Sequence, residues 1–254
     1  MTELVRRGAA FVEDEFRIEQ EILGMQLEGF RMGDYIFSQF NFPRDRGASG
    51  MVDIPHNLYG LQNSGEKLEK WGAFPISYYV VWGKGGGGAI TPMNTLIAVQ
   101  AGEEFMIFNH TSEYRMTLFD LEKQNIAFEF SREYKRVKPP PDYKVMGSTI
   151  IDGKPVIPPN PKFLNDIDNI FVHEENIWVL TSTVDKEKGS LIDVFDFEGA
   201  YIDNFYLNIP INLSSPRYRF KPGTYSGGFF YFIETMDDDT YVIKKYSLRD
   251  QIDR

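Results

Sequence analysis

The stretch "NIFVHEENIWVLTST" (Asn169 to Thr183), with "LIDVFDFEGAYIDNFYL" (Leu191 to Leu207) close behind it, decides the fold. The first reads as an apolar run, a polar break at Glu174 to Asn176, and a second apolar run. The second runs to Phe195, breaks at "FEGA" and resumes. β-Branched and aromatic side chains dominate the runs, and these pack well on a pleated, half-buried surface. The breaks carry Gly, Asn and acidic residues, which suit the positive φ of tight hairpin turns. The spacing predicts four short antiparallel strands in a meander.

The pattern recurs along the chain. "NLYGLQNSGEKLEKWGAF" (Asn57 to Phe74), "RMTLFDLEKQNIAFEF" (Arg115 to Phe130) and "TYVIKKYSLRDQI" (Thr240 to Ile252) each give strand, turn, strand. Leu61, Phe119, Phe195 and Tyr246 hold equivalent places before the turns "NSGE", "LEKQ", "FEGA" and "LRDQ". Further strands precede each: "LEGFRMGDYIFSQFNF" turning at Met32 to Asp34, "TLIAVQAGEEFMIFN" turning at Ala101 to Glu104, and "GGFFYFIET" from Gly227. Repetition at this scale marks a repeat architecture. The expected units are approximately 24–76, 90–137, 165–210 and 225–254, within one domain spanning 1–254. Between the second and third lies a proline-rich insertion, approximately 138–164. Its prolines forbid a helix, and Val145, Met146, Ile150 and Ile151 suggest that it packs on something. "FVEDEFRIEQEILGMQLE" near the start reads as either a helix or an outer strand.

These repeats resemble the six-bladed β-propellers of the NHL and TolB-like kind. The resemblance is carried by Trp178, Val179, Asp196, Gly199 and Phe205, and by Leu58, Gly65 and Trp71; Lys123 and Asp250 stand where glycine is usual. It covers roughly Leu27 to Leu248 and implies an all-β propeller of four-stranded antiparallel blades. Six such blades need roughly 300 residues or more, so the expectation is a six-bladed type seen in part, or a ring closed with fewer blades.

Composition narrows the function. The chain has 254 residues, 42% of them hydrophobic and 25% charged, which suits a globular protein large enough for a substantial core. Its formal net charge of −10 disfavours general nucleic-acid binding. The basic cluster "REYKRVK" (Arg132 to Lys138) reads as a solvated strand end or loop. Cysteine is absent, so thiolate–zinc sites and cysteine nucleophiles are excluded. No apolar run is long enough for a membrane-spanning helix, and "MTELVRRGAAFVEDEF" lacks the apolar core of a signal peptide. The expectation is a cytoplasmic protein, or a periplasmic or secreted one if the true N-terminus is missing.

Few motifs carry chemistry. Gly83, Gly85 and Gly88 spell a G-x-G-x-x-G, but the phosphate-binding form needs a helix directly after the glycines. Pro92 and a β-like run follow instead, so no nucleotide cofactor is expected and the stretch reads as a link between repeats. His56, His110 and His173 lie far apart and read as turn residues, although a propeller can gather turns around its axis. "NDIDN" (Asn165 to Asn169) is the densest set of oxygen ligands at a strand start. In propeller enzymes of the lactonase type such acids converge on calcium, which makes Asp166, Asp168 and His173 the candidate metal residues; structural turn capping is the favoured reading of the acids. The favoured reading is a non-catalytic binding or scaffold module presenting loops to a protein, peptide or glycan partner. The alternative is a calcium-assisted hydrolase or lactonase with its site in the axial channel.

Overall fold

The computed structural model describes residues 26–30, 36–40, 49–61, 68–84, 88–94, 96–110, 113–143, 145, 149–208, 223–235, 241–247 and 252–253. Every regular element among them is a β-strand, and all sheets are antiparallel. No helix there is long and apolar enough to cross a membrane. The turns expected at Met32 to Asp34, "NSGE" and "LRDQ", and the ambiguous segment before Gln26, lie outside these residues.

The chain forms two compact units, 1–46 with 53–75, and 47–52 with 76–254. The first holds β1 (Gln26–Phe30), β2 (Ile36–Phe40), most of β3 (Gly50–Leu61) and the first half of β4 (Leu68–Trp82), hydrogen-bonded in that order. Ile54, His56 and Phe74 are buried there at alternate positions of their strands. Burial lowers the His56 pKa, favouring the neutral ring.

In the second unit the latter half of β4 pairs with β5 (Gly88–Pro92), Trp82 facing Gly88. Trp82 and Gly88, on either side of the glycine stretch, therefore belong to one sheet and not to two, and the change of sheet falls after Pro92. One of its glycines has a packing reason: a Cβ on Gly88 would stand 2.6 Å from the Trp82 ring and 2.9 Å from the Val81 carbonyl.

Three sheets follow in chain order. The first is β6 (Ala98–Ala101), β7 (Phe105–Asn109), β8 (Arg115–Asp120) and β9 (Asn125–Ser131). After it, the proline-rich insertion forms a small hairpin of β10 (Thr149–Ile151) and β11 (Lys154–Val156). The insertion is anchored by other residues than the apolar ones expected: Ile150 is exposed, Val145 and Ile151 are half-buried, and Met146 lies outside the described residues. Asp152 accepts the Lys84 N–H at 2.8 Å, and Tyr143 and Leu164 are buried. The second sheet is β12 (Ile167–His173), β13 (Asn176–Asp185), β14 (Gly189–Asp196) and β15 (Tyr201–Leu207), extended by β19 (Ile252–Asp253) on the β15 edge. The third is β16 (Gly223–Ser226), β17 (Phe229–Thr235) and β18 (Tyr241–Ser247).

The middle sheet has both faces covered. Ile170, Ile177, Val179 and Phe195 pack with Ile107, Met116, Leu118 and Phe130 of the β6–β9 sheet. Phe171, Trp178, Leu180, Ile192 and Val194 pack with Phe230 and Tyr225 of the third. Alternation sends successive side chains to opposite faces, so β13 is buried continuously from Ile177 to Ser182. Ile167 and Ile170 share a core despite their odd separation, because β12 bulges between Ile167 and Asn169 and restores the facing.

The turns fall at 102–104, 121–124, 174–175 and 197–198, where polar and glycine residues announced them. Gly199 has φ 80°, and a Cβ there would stand 2.8 Å from the Phe130 ring on β9. This glycine is what lets the β14–β15 hairpin close against the neighbouring sheet. Gly199→Val is expected to destabilise by about 1 to 3 kcal/mol, through left-handed backbone strain and overpacking. Denaturant unfolding measures it; unchanged stability would show that the hairpin does not sit on Phe130.

Candidate functional site

The β6–β9 and middle sheets meet mostly through apolar side chains, but β14 places an acid between them. Asp193 lies between Ile192 and Val194, opposite Val179 and Asn204, on the same face as Phe195. It is fully buried. The first strand sheet answers it with two residues from its ends. Tyr114, just before β8, donates its hydroxyl to Oδ2 at 2.5 Å, and Arg132, just after β9, brings Nη2 within 2.8 Å of the same oxygen. The Arg132 guanidinium also lies over the Tyr114, Tyr134 and Tyr201 rings at 5.2, 5.8 and 5.5 Å, a cation–π arrangement. Burial raises the Asp193 pKa, offset only in part by Tyr114 and Arg132. Tyr114 is pushed above the ordinary phenol range by burial first and the Asp193 charge second.

In the chain after β9, Arg132 and Tyr134 are half-buried while Glu133, Lys135 and Arg136 are exposed. Tyr134 shares hydrogen bonds with Ser182 Oγ (3.2 Å) and Thr183 Oγ1 (2.8 Å). Arg136 donates Nε–H to Oδ1 of Asp166 at 3.0 Å, and its guanidinium lies 4.9 Å from the centre of the Phe163 ring. Beside them, Arg115 bonds Glu129 at 3.3 Å and approaches Glu113 at 3.7 Å. Glu113, Arg115, Ser131, Tyr134, Arg136 and Asp166 are among the residues that line an open cleft of about 300 Å³. Within "REYKRVK", read from sequence as a solvated strand end or loop, Glu133, Lys135, Arg136 and Lys138 are exposed, whereas Arg132 and Tyr134 are half-buried and paired with the middle sheet.

No protein-family model and no curated protein matches this chain.

The expected metal residues are not gathered. Asp166 lies just before β12, buried and held by Arg136; burial raises its pKa and Arg136 opposes the rise. Asp168 is the half-buried residue at the β12 bulge. His173 stands at the far end of the strand, roughly 20 Å away at the rise of an extended chain. There its Nδ1 is 2.6 Å from the Tyr225 hydroxyl, and its ring packs on Trp178 at 4.5 Å. His110 closes β7 and is half-buried; His56 belongs to the other unit. Among the described residues no three His, Asp or Glu side chains are grouped closely enough to hold a metal ion.

Sequence reasoning missed Asp193, Arg132, Tyr114 and Arg136 as a set. One signal was present. An acid inside the otherwise apolar "LIDVF" is unusual, since Asp is almost never fully buried unless paired.

Proposed function

We propose that this chain is a binding module built on propeller-type blades, and that the cleft of Arg115, Tyr134 and Arg136 is where it meets a protein, peptide or glycan partner. The blade reading is supported by the stacking of consecutive sheets in chain order, with the middle one covered on both faces. The binding reading rests chiefly on one observation. The buried acids behind this cleft, Asp166 and Asp193, are each held by an arginine. A carboxylate held this way is poorly placed to move protons or to ligate a cation, whereas the arginine it holds is well placed to recognise.

Arrays of immobilised peptides and glycans, probed with the full chain, test this. The expected result is retention on a defined subset, weakened about tenfold by Arg136→Gln and unchanged by Ile150→Ser on the exposed insertion hairpin. Retention indifferent to Arg136, or calcium-dependent turnover of ester or lactone substrates, would overturn it.

A further inference from the structure

The arginines of the cleft differ in what they have left to offer. Both terminal nitrogens of Arg115 face glutamates, Nη1 at Glu129 and Nη2 at Glu113. Arg132 is 28% exposed and drawn inward to Asp193, beneath three tyrosine rings. Arg136 is 41% exposed and engages Asp166 through Nε alone. Its two terminal nitrogens have no partner among the described residues. The arginine is also held in place: Asp166 is 4% exposed, so it cannot swing away, and Phe163 lies against the guanidinium. The result is a pre-positioned planar fork at the mouth of a cleft about large enough for one side chain.

The chemistry of such a fork is specific. Two parallel N–H groups in a fixed plane match the two oxygens of a carboxylate. The neighbours narrow the choice. The Tyr134 hydroxyl is engaged by Ser182 and Thr183, and Asp166 Oδ1 by Arg136 itself. A carboxylate only accepts, so its two oxygens can each take an N–H from the fork, whereas a sugar hydroxyl must donate as well as accept. Glu113 and Asp166 line the same space, and their charges penalise a dianion such as phosphate more than a monoanion.

We propose that Arg136 clamps a single carboxylate of a peptide partner, with Asp166 and Phe163 as positioning residues. This rests on the cleft being the recognition site proposed above. Two sources share the chemistry, an acidic side chain and a chain terminus.

Arginine side-chain NMR on the full-length chain separates the outcomes. N-acetyl-glutamate N-methylamide offers a side-chain carboxylate only, and N-acetyl-alanine a terminal one only; N-acetyl-glutamine N-methylamide is the neutral control. The expected result is a saturable shift of the Arg136 Nε–H signal with one or both acids and none with the control. Arg136→Lys, which keeps charge but loses the fork, should weaken binding about tenfold. Asp166→Asn should weaken it as well, although it leaves one negative charge fewer beside the ligand. A purely electrostatic site would respond to Asp166→Asn in the opposite direction, and that result would sink the proposal. Equal shifts with the neutral control, glucuronate or inorganic phosphate would also overturn the peptide-carboxylate assignment. In that case array binding that still depends on Arg136 would leave the cleft as a recognition site. Loss of Arg136 dependence on the arrays would remove both.

Discussion

Trp178→Ala is expected to destabilise the protein by about 3 to 5 kcal/mol, the range for truncating a buried aromatic side chain. Trp178 is 6% exposed on β13 and faces the third sheet. Its ring packs on Phe205 at 5.0 Å, on His173 at 4.5 Å and on Tyr225 at 5.9 Å. Those contacts tie the middle sheet to its neighbour, so the cavity left by alanine would sit at the seam between them. It would also remove the ring beneath His173 and loosen the His173–Tyr225 hydrogen bond. Denaturant titration with two spectroscopic probes checks this. A near-neutral change would mean that the third sheet does not pack on the middle one through this residue.

Arg132→Ala is expected to cost about 3 to 5 kcal/mol near neutral pH, because it strands a buried carboxylate. Tyr114 would still donate to Asp193, but one neutral donor does not replace a guanidinium. The loss carries a pH signature. Burial already raises the Asp193 pKa in the folded protein, and Arg132 pulls it back down; without Arg132 it rises further. A carboxyl whose folded pKa lies above its unfolded value binds its proton more tightly when folded. Its contribution is therefore fully present below the unfolded aspartate value and is lost as pH rises through the folded one. The gap between Arg132→Ala and the native protein should narrow as the solution is acidified from about pH 8 toward about pH 5. Replacing the set together, Arg132→Leu with Asp193→Leu and Tyr114→Phe, should recover most of the loss, since apolar substitutes leave neither a stranded charge nor an unpaired buried hydroxyl. A pH-independent deficit would show that Asp193 is not the group left behind.

The contrast between these two residues shows what could be read from the sequence. Trp178 announces itself: it sits in "NIWVLTST", between a turn of Glu174 and Glu175 and a run of β-branched residues. Turn chemistry and alternation act over a few residues, so the hairpins at Ala101, Leu121, Glu174 and Gly199 were legible one at a time. The glycine stretch was legible only in part. Pro92 ruled out the phosphate-binding helix, but the pairing of Trp82 with Gly88 puts Gly88 in the same sheet as the strand before it, where a link between repeats was expected.

The cleft was not legible, for a physical reason. Asp193 and Tyr114 are 79 residues apart in the chain, and Arg136 and Asp166 are 30 apart. Whether a charged residue is solvated or paired depends on which surface it meets, and local pattern does not carry that. Asp166 shows the difference well. By composition it belongs to "NDIDN" and suggests oxygen ligation, whereas packing turns it to Arg136 and makes it the anchor of a guanidinium.

By itself, the sequence determined an all-β chain of antiparallel hairpins, because side-chain alternation and turn residues are local properties of the backbone. Only the tertiary structure decided that the middle sheet is covered on both faces, and that Arg132 and Arg136 meet Asp193 and Asp166 across the seam. Sheet stacking brings distant residues within a few ångströms, and it is at that range, away from water, that charges and hydrogen bonds acquire their strength.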